Sequence, residues 1–177
     1  MKISKRLFNL ETETAFTILS KANKLLKEGK DIINLGIGQP DFPTPQNIVE
    51  AGIKALKDGH HGYTPSNGIL ELREAVTENI YHSYKVNVDP DNILITPGGK
   101  PVIFFAALIF GEKNAEIIYP DPGFPIYRSM IKYSGAKPVP LKLDEKNNFE
   151  IEVEKLTSLI TDKTRLIIIN NPNNPTG

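Results

Sequence analysis

Cysteine is absent from the 177-residue chain, which excludes a disulfide framework and any thiolate metal site and suits a reducing compartment. Net charge is absent as well: Lys plus Arg and Asp plus Glu both number 21, so no field of one sign favours nucleic acid or an anionic membrane surface. Long apolar runs are missing. The longest, Val102 to Phe110, falls far short of the roughly 20 residues that cross a bilayer. The opening MKISKRLFNLETETAF carries positive charge without the apolar stretch of a signal peptide. The expectation is a cytoplasmic protein with neither nucleic acid nor membrane as a partner. Histidines number three, and His60-His61 sit in a Gly-flanked loop with no carboxylate or His at ligand spacing. They read as solvated, and no metal site is expected.

What is present is a globular composition, 40% hydrophobic and 24% charged, in a chain long enough for one sizeable core. Residues 1–14 show no period and read as an arm. From Ala15, the spacing of Phe16, Leu19, Ala22, Leu25 and Leu26 predicts an amphipathic helix that Gly29 stops. Asp31–Leu35 reads as a short strand running into Gly36-Ile37-Gly38-Gln39-Pro40-Asp41-Phe42-Pro43-Thr44-Pro45, where glycines and prolines forbid regular structure. Thr44 is placed to cap a helix whose apolar face is Ile48, Ala51, Ile53, Ala55 and Leu56, ended by Gly59. A second irregular loop, Gly62–Gly68, precedes a helix over 69–84 with Leu72, Ala75, Val76 and Ile80 on one face.

After Pro90, strands and helices alternate. Strands are expected over 93–96, 115–119, 137–141 and 165–169, and helices over 101–110, 125–133 and 152–160. The helix from Pro101 has almost no polar residue and reads as buried all round. Alternation with apolar strands predicts an α/β fold, a mostly parallel sheet covered by helices on both faces in three αβα layers. The last strand leads into Asn170-Asn171-Pro172-Asn173-Asn174-Pro175-Thr176-Gly177 with no covering helix after it. The chain is therefore expected to be a portion of a longer protein.

The segment Asn92–Phe110 reads as strand, glycine turn and helix start. Glycines allow the tight turn, Pro101 opens the helix without forfeiting a hydrogen bond, and the helix start presents N–H groups to an anion. A turn that binds nothing is equally compatible with these residues alone. Three more loops bear on the choice, because ligands of open parallel sheets lie outside the carboxyl ends of the strands. Pro120-Asp121-Pro122-Gly123-Phe124 offers a ring for stacking. The loop ending Asn173-Asn174-Pro175-Thr176-Gly177 offers an amide that can donate to a phenolate-like oxygen. Gly36-Ile37-Gly38 lets a small substrate approach the backbone. Taken singly, Phe124 is an ordinary core residue, Asn174 a turn former and Lys100 a solvated cation. Together these loops suit a flat, phosphorylated aromatic cofactor.

In order, LGIGQPDFPTP at 35–45, GYTPSNGILELREAV at 62–76, ITPGGKP at 95–101, YPDPGFPIY at 119–127 and NNPNNPTG at 170–177 resemble the N-terminal part of the class I and II aminotransferases. These are fold-type I enzymes dependent on pyridoxal 5'-phosphate, and the likeness is to the aspartate aminotransferase branch. The resemblance implies that residues 1–45 are an arm, helix and substrate loop belonging to a small domain, and that 46–177 begin the cofactor-binding large domain. It implies that Gly98, Gly99 and Lys100 hold the cofactor phosphate and that Phe124 stacks on the pyridine ring, where Trp or Tyr often stands elsewhere in the family. Asn174 matches the asparagine bonded to the ring oxygen, and Gly38 the N–H offered to the substrate carboxylate. Tyr63 is implied to reach the phosphate of a neighbouring subunit, which makes a homodimer the expected form.

No catalytic residue is assigned within the chain. The Schiff-base lysine, the aspartate on the pyridine nitrogen and the main carboxylate-binding arginine of the family all correspond to positions beyond Gly177, and Lys100 is too close to the phosphate to take the lysine's place. The implied activity is transfer of an amino group between an amino acid and a 2-oxo acid. A lyase or synthase acting on an amino acid would share these loops, and so would a non-catalytic ligand sensor. The sensor requires a DNA-binding module, and none precedes Ala15.

Overall fold

The computed structural model describes residues 2–10 and 14–177. Of the expected arm, residues 11–13 and Met1 lie outside the described residues, and Lys5–Asn9 form a short 3-10 turn. The chain forms two compact units, one of residues 31–97 and one combining 1–30 with 98–177.

The second of these is built around a three-stranded, wholly parallel sheet. Its strands are β1 (Glu116–Asp121), β2 (Lys137–Lys142) and β3 (Thr164–Ile167), in the order β2-β1-β3. Register runs from Glu116 opposite Lys137 to Asp121 opposite Lys142 on one side, and pairs Ile117 with Leu166 and Ile118 with Ile167 on the other. Strand β1 is central because its residues are apolar on both faces, the pattern of a strand covered above and below. Successive side chains point to opposite faces. Ile117 and Tyr119 pack with Ala115, Tyr127, Ile131 and Ala136 on one side, while Ile118 packs with Leu141 and Leu143 on the other. Ile117, Ile118 and Ile131 are wholly buried, and each contributes about 2–3 kcal/mol by leaving water.

Helices α4 (Lys100–Phe110) and α5 (Ile126–Ser134) lie on the first face through Ile103 and Ile131. Leu156 of α6 (Val153–Ser158) packs on the second face, completing three αβα layers. The remaining helix of this unit, α1 (Thr14–Lys27), is followed by Gly29 with φ +80°. Its Ala22 is buried, whereas Phe16 and Leu26 are exposed.

The other unit carries α2 (Gln46–Lys57) and α3 (Leu70–Tyr84). Arg73, only 7% exposed, ties it together. Its Nε donates to the Gly68 carbonyl at 3.2 Å, and its Nη1 donates to the Pro90 carbonyl at 2.8 Å and to Asp91 Oδ1 at 2.9 Å. Gly68 has φ +99°, and a Cβ there would stand 2.6 Å from Cγ1 of Ile95, so the backbone approach itself requires glycine.

Several expectations are corrected. Neither 31–35 nor 93–96 is a strand. Ile33 and Leu35 are 86% and 89% exposed, and Ile95 donates one backbone hydrogen bond, to Asn67 at 3.1 Å. An apolar run becomes a strand only beside a partner ladder, and the described residues supply none. Helix α4 is not buried all round: Ala107 is buried, but Val102, Phe105 and Ile109 are exposed. Helix α2 has no buried residue, and Leu72 of α3 is exposed. Thr44 does not cap α2, whose N-cap is Pro45 with no side-chain cap. Apolar spacing marks which face would be covered, not what covers it.

At the amino ends of the strands, Glu116 accepts from Lys137 Nζ at 2.8 Å and from Thr161 Oγ1 at 2.8 Å. These hydrogen bonds, Lys137 first, hold its carboxyl below the ordinary value. A depressed carboxylate stabilises the fold above its unfolded-state pKa, and that contribution is lost as pH falls through the folded one. Replacement Glu116→Gln is therefore expected to lower stability at neutral pH and to flatten the loss of stability below the ordinary carboxylate range, as followed by urea midpoints from neutral to acid pH. The exposed apolar faces of α2 and α4 predict that residues 1–177 alone bind a hydrophobic dye and unfold over a broad range. A sharp thermal transition without dye binding would contradict this.

Candidate functional site

The site begins where α4 begins. Gly98 takes φ +84°, and no atom lies within 4 Å of a Cβ placed at Gly98 or Gly99. Gly99 is the N-cap of α4 with no side-chain cap, and Pro101 stands in the first turn. An 11-residue helix thus starts from a pair of glycines, with the positive end of its dipole and a lysine at its first position there. Phosphate oxygens fit such a start, because backbone N–H groups and an ammonium are both donors.

The loop after β1 meets this helix start. The Phe124 ring is half-buried, stands edge-on to Tyr127 with centroids 5.9 Å apart, and has the Lys100 ammonium 6.0 Å from its centroid. The same ammonium lies 5.9 Å from the Phe16 ring of α1. Burial raises the Tyr127 phenol above its ordinary value, so Phe124 rests on a neutral, well-packed ring. Gly123 is required here: a Cβ would fall 2.2 Å from the Pro120 carbonyl oxygen. Asp121 pairs with Lys142 across the ends of β1 and β2, and that hydrogen bond raises the lysine above its ordinary value.

The loop after β3 joins the loop after β1. Asn173 Nδ2 donates to the Pro122 carbonyl at 3.2 Å and to Thr176 Oγ1 at 2.8 Å. Asn170, with its amide oriented to satisfy its neighbours, accepts from the Asn174 backbone N–H at 2.8 Å. The Asn174 side chain is exposed. Beside this loop lies a cavity of about 300 Å³ walled by Pro120, Leu143, Phe149, Ile151, Ile169 and Asn173 among others.

Of the residues singled out from sequence, Gly98, Gly99, Lys100, Phe124 and Asn174 belong to one unit, on loops that touch one another. Two of these loops follow strands; the glycine loop follows the run 93–96, which is not a strand. Gly38 and Tyr63 belong to the other unit, where Gly38 sits in irregular backbone and Tyr63 is fully exposed. Sequence reasoning did not single out Asn170 or Asn173. Four asparagines in five residues look alike as letters, and only their hydrogen bonds separate a supporting amide from a presented one.

Residues 30–177 match the family model described as aminotransferase class I and II. The chain belongs to that family. Among curated relatives, it is 45% identical over 175 residues to a (5-formylfuran-3-yl)methyl phosphate transaminase of Methanocaldococcus jannaschii, covering 99% of this chain and 45% of that protein. It is 37% identical over 177 residues to an aspartate aminotransferase of Bacillus subtilis, covering 100% of this chain and 45% of that one. Among solved structures, aspartate aminotransferase from Thermus thermophilus with maleate superposes with a TM-score of 0.93 at 30% identity, covering 99% of this chain and 46% of that chain. The chain thus spans a little under half the length of these aminotransferases, and it shares its fold with the matching part of the Thermus enzyme.

The two glycines of the turn are separable by substitution. Gly98→Ala puts a Cβ at positive φ and is expected to cost about 1–2 kcal/mol. Gly99→Ala meets open space at φ −83° and is expected to change stability by less than about 0.5 kcal/mol. Paired urea melts of the two variants measure the difference.

Proposed function

We propose that the full-length protein transfers an amino group between an amino acid and a 2-oxo acid with pyridoxal 5'-phosphate as cofactor. The observation that carries this reading is the meeting of the α4 start, the Phe124 loop and the Asn174 loop at one end of a parallel sheet in a member of this family. Gly98, Gly99 and Lys100 would hold the phosphate, Phe124 would lie against the pyridine ring, and the Asn174 amide would donate to the ring oxygen. When bound, the cofactor supplies an electron sink for the carbanion at the substrate α-carbon. The chain's own part is orientation and charge. The helix dipole and Lys100 neutralise the phosphate, and the ring of Phe124 excludes water from one face.

The rest of the proposal concerns parts of the protein outside this sheet unit. A lysine beyond Gly177 would hold the cofactor and move the substrate α-proton, Gly38 would offer its N–H to the substrate carboxylate, and Tyr63 would reach the phosphate of a neighbouring subunit in a homodimer. The complete exposure of Tyr63 supports a role toward something other than its own unit. The division of the chain at residue 45 into part of a small domain and the start of the large one belongs to the same reading, as does a cytoplasmic setting. Transaminase names among the relatives favour amino transfer over lyase or synthase chemistry.

The experiment supplies full-length protein with pyridoxal phosphate, an amino acid and a 2-oxo acid, and follows the new 2-oxo acid. Turnover is expected from the full-length protein and none from residues 1–177, and turnover by the short chain would refute the assignment. Asn174→Ala is expected to weaken cofactor binding about tenfold, the worth of one charge-assisted hydrogen bond, as read by absorbance titration.

A further inference from the structure

Asn173 bridges two loops that the proposed function needs held in register. Its Nδ2 reaches the Pro122 carbonyl at 3.2 Å on the Phe124 loop and Thr176 Oγ1 at 2.8 Å on its own loop. Its backbone carbonyl accepts from Gly177 N–H at 2.8 Å. Its Oδ1 is buried without a hydrogen-bond partner. An acceptor left unpaired in the interior is unfavourable, so what this amide contributes comes from its N–H groups. An oxygen-only or apolar side chain of the same size would leave the Pro122 carbonyl without that donor.

The grip at Pro122 passes to Phe124 because little between them can yield. Gly123 closes on the Pro120 carbonyl so tightly that a Cβ would stand 2.2 Å away, and the Phe124 ring is braced edge-on by Tyr127. On the other loop, Asn174 follows Asn173 directly and has its backbone N–H held by Asn170 at 2.8 Å. We propose that Asn173 is a positioning residue that couples the Phe124 loop to the Asn174 loop, setting the separation between the ring-stacking side chain and the ring-oxygen donor. It touches neither cofactor nor substrate. Its effect runs through Asn174 and Phe124, because a flat ring held between two groups is sensitive to shifts of a fraction of an ångström in either.

The inference rests on the cofactor reading above, and the test separates the two. Full-length parent protein is first titrated with pyridoxal phosphate; absence of binding would overturn the cofactor reading and this inference with it. With binding established, Asn173→Ala is expected to weaken the cofactor about tenfold, the loss of one net hydrogen bond, and to shift the pH titration of the bound cofactor's absorption band. In an Asn174→Ala background the same change is expected to have less than about a twofold effect, since residues acting through one another are not additive. Thr176→Val, which removes one of the two acceptors, is expected to shift the band in the same direction by less, and it serves if Asn173→Ala does not fold. Equal factors in both backgrounds, or a lowered melting temperature with the cofactor affinity and band titration unchanged, would show a loop staple alone and overturn the proposal.

Discussion

Burying β1 on both faces requires helices above and below it and leaves the ends of the strands as the only places where backbone is released from the sheet. Ile117 and Tyr119 commit one face to α5, and Ile118 commits the other to the layer holding Leu156. Because the three strands are parallel, their carboxyl ends lie together, and the loops that leave β1 and β3 emerge side by side. The Asn173 to Pro122 hydrogen bond is a consequence of that neighbourhood. So is the approach of Lys100 to Phe124, since α4 packs on the same face as α5.

The opposite ends of the strands carry a different kind of chemistry. Glu116, Lys137 and Thr161 form a hydrogen-bonded cluster where β1 and β2 begin, and nothing about it resembles a ligand cradle. It fastens register. The division matches what parallel sheets impose: stability at the amino ends, and ligand-facing loops at the carboxyl ends. In the other unit the same fastening falls to one residue, Arg73, whose guanidinium gathers Gly68, Pro90 and Asp91 around the start of α3.

Exposed apolar surface is the counterpart of this arrangement. Helices α2 and α4 present Ile48, Ile53, Val102, Phe105 and Ile109 to solvent, and the run 93–96 has a strand's composition but is not a strand. The chain spans a little under half the length of its relatives, and amphipathic spacing records burial in whatever assembly the sequence serves. The apolar composition of α4 suits burial all round, which the described residues alone do not supply.

By itself, the sequence determined the local elements and the chemistry available at each turn. Six helices and three of the five expected strands lie where apolar period and glycine stops put them, because period and φ preference are local properties of the chain. The glycine turn, Phe124 and the asparagine loop were legible only as groups able to face an anion or a ring, a reading that the proposed function takes up. Only the tertiary structure decided which asparagine is presented and which is supporting, since Asn170, Asn173 and Asn174 are distinguished by partners distant in sequence or by the fold of their loop. It also decided that 31–35 and 93–96 are not strands, because a strand is defined by hydrogen bonds to another segment. No property of four apolar residues supplies that segment.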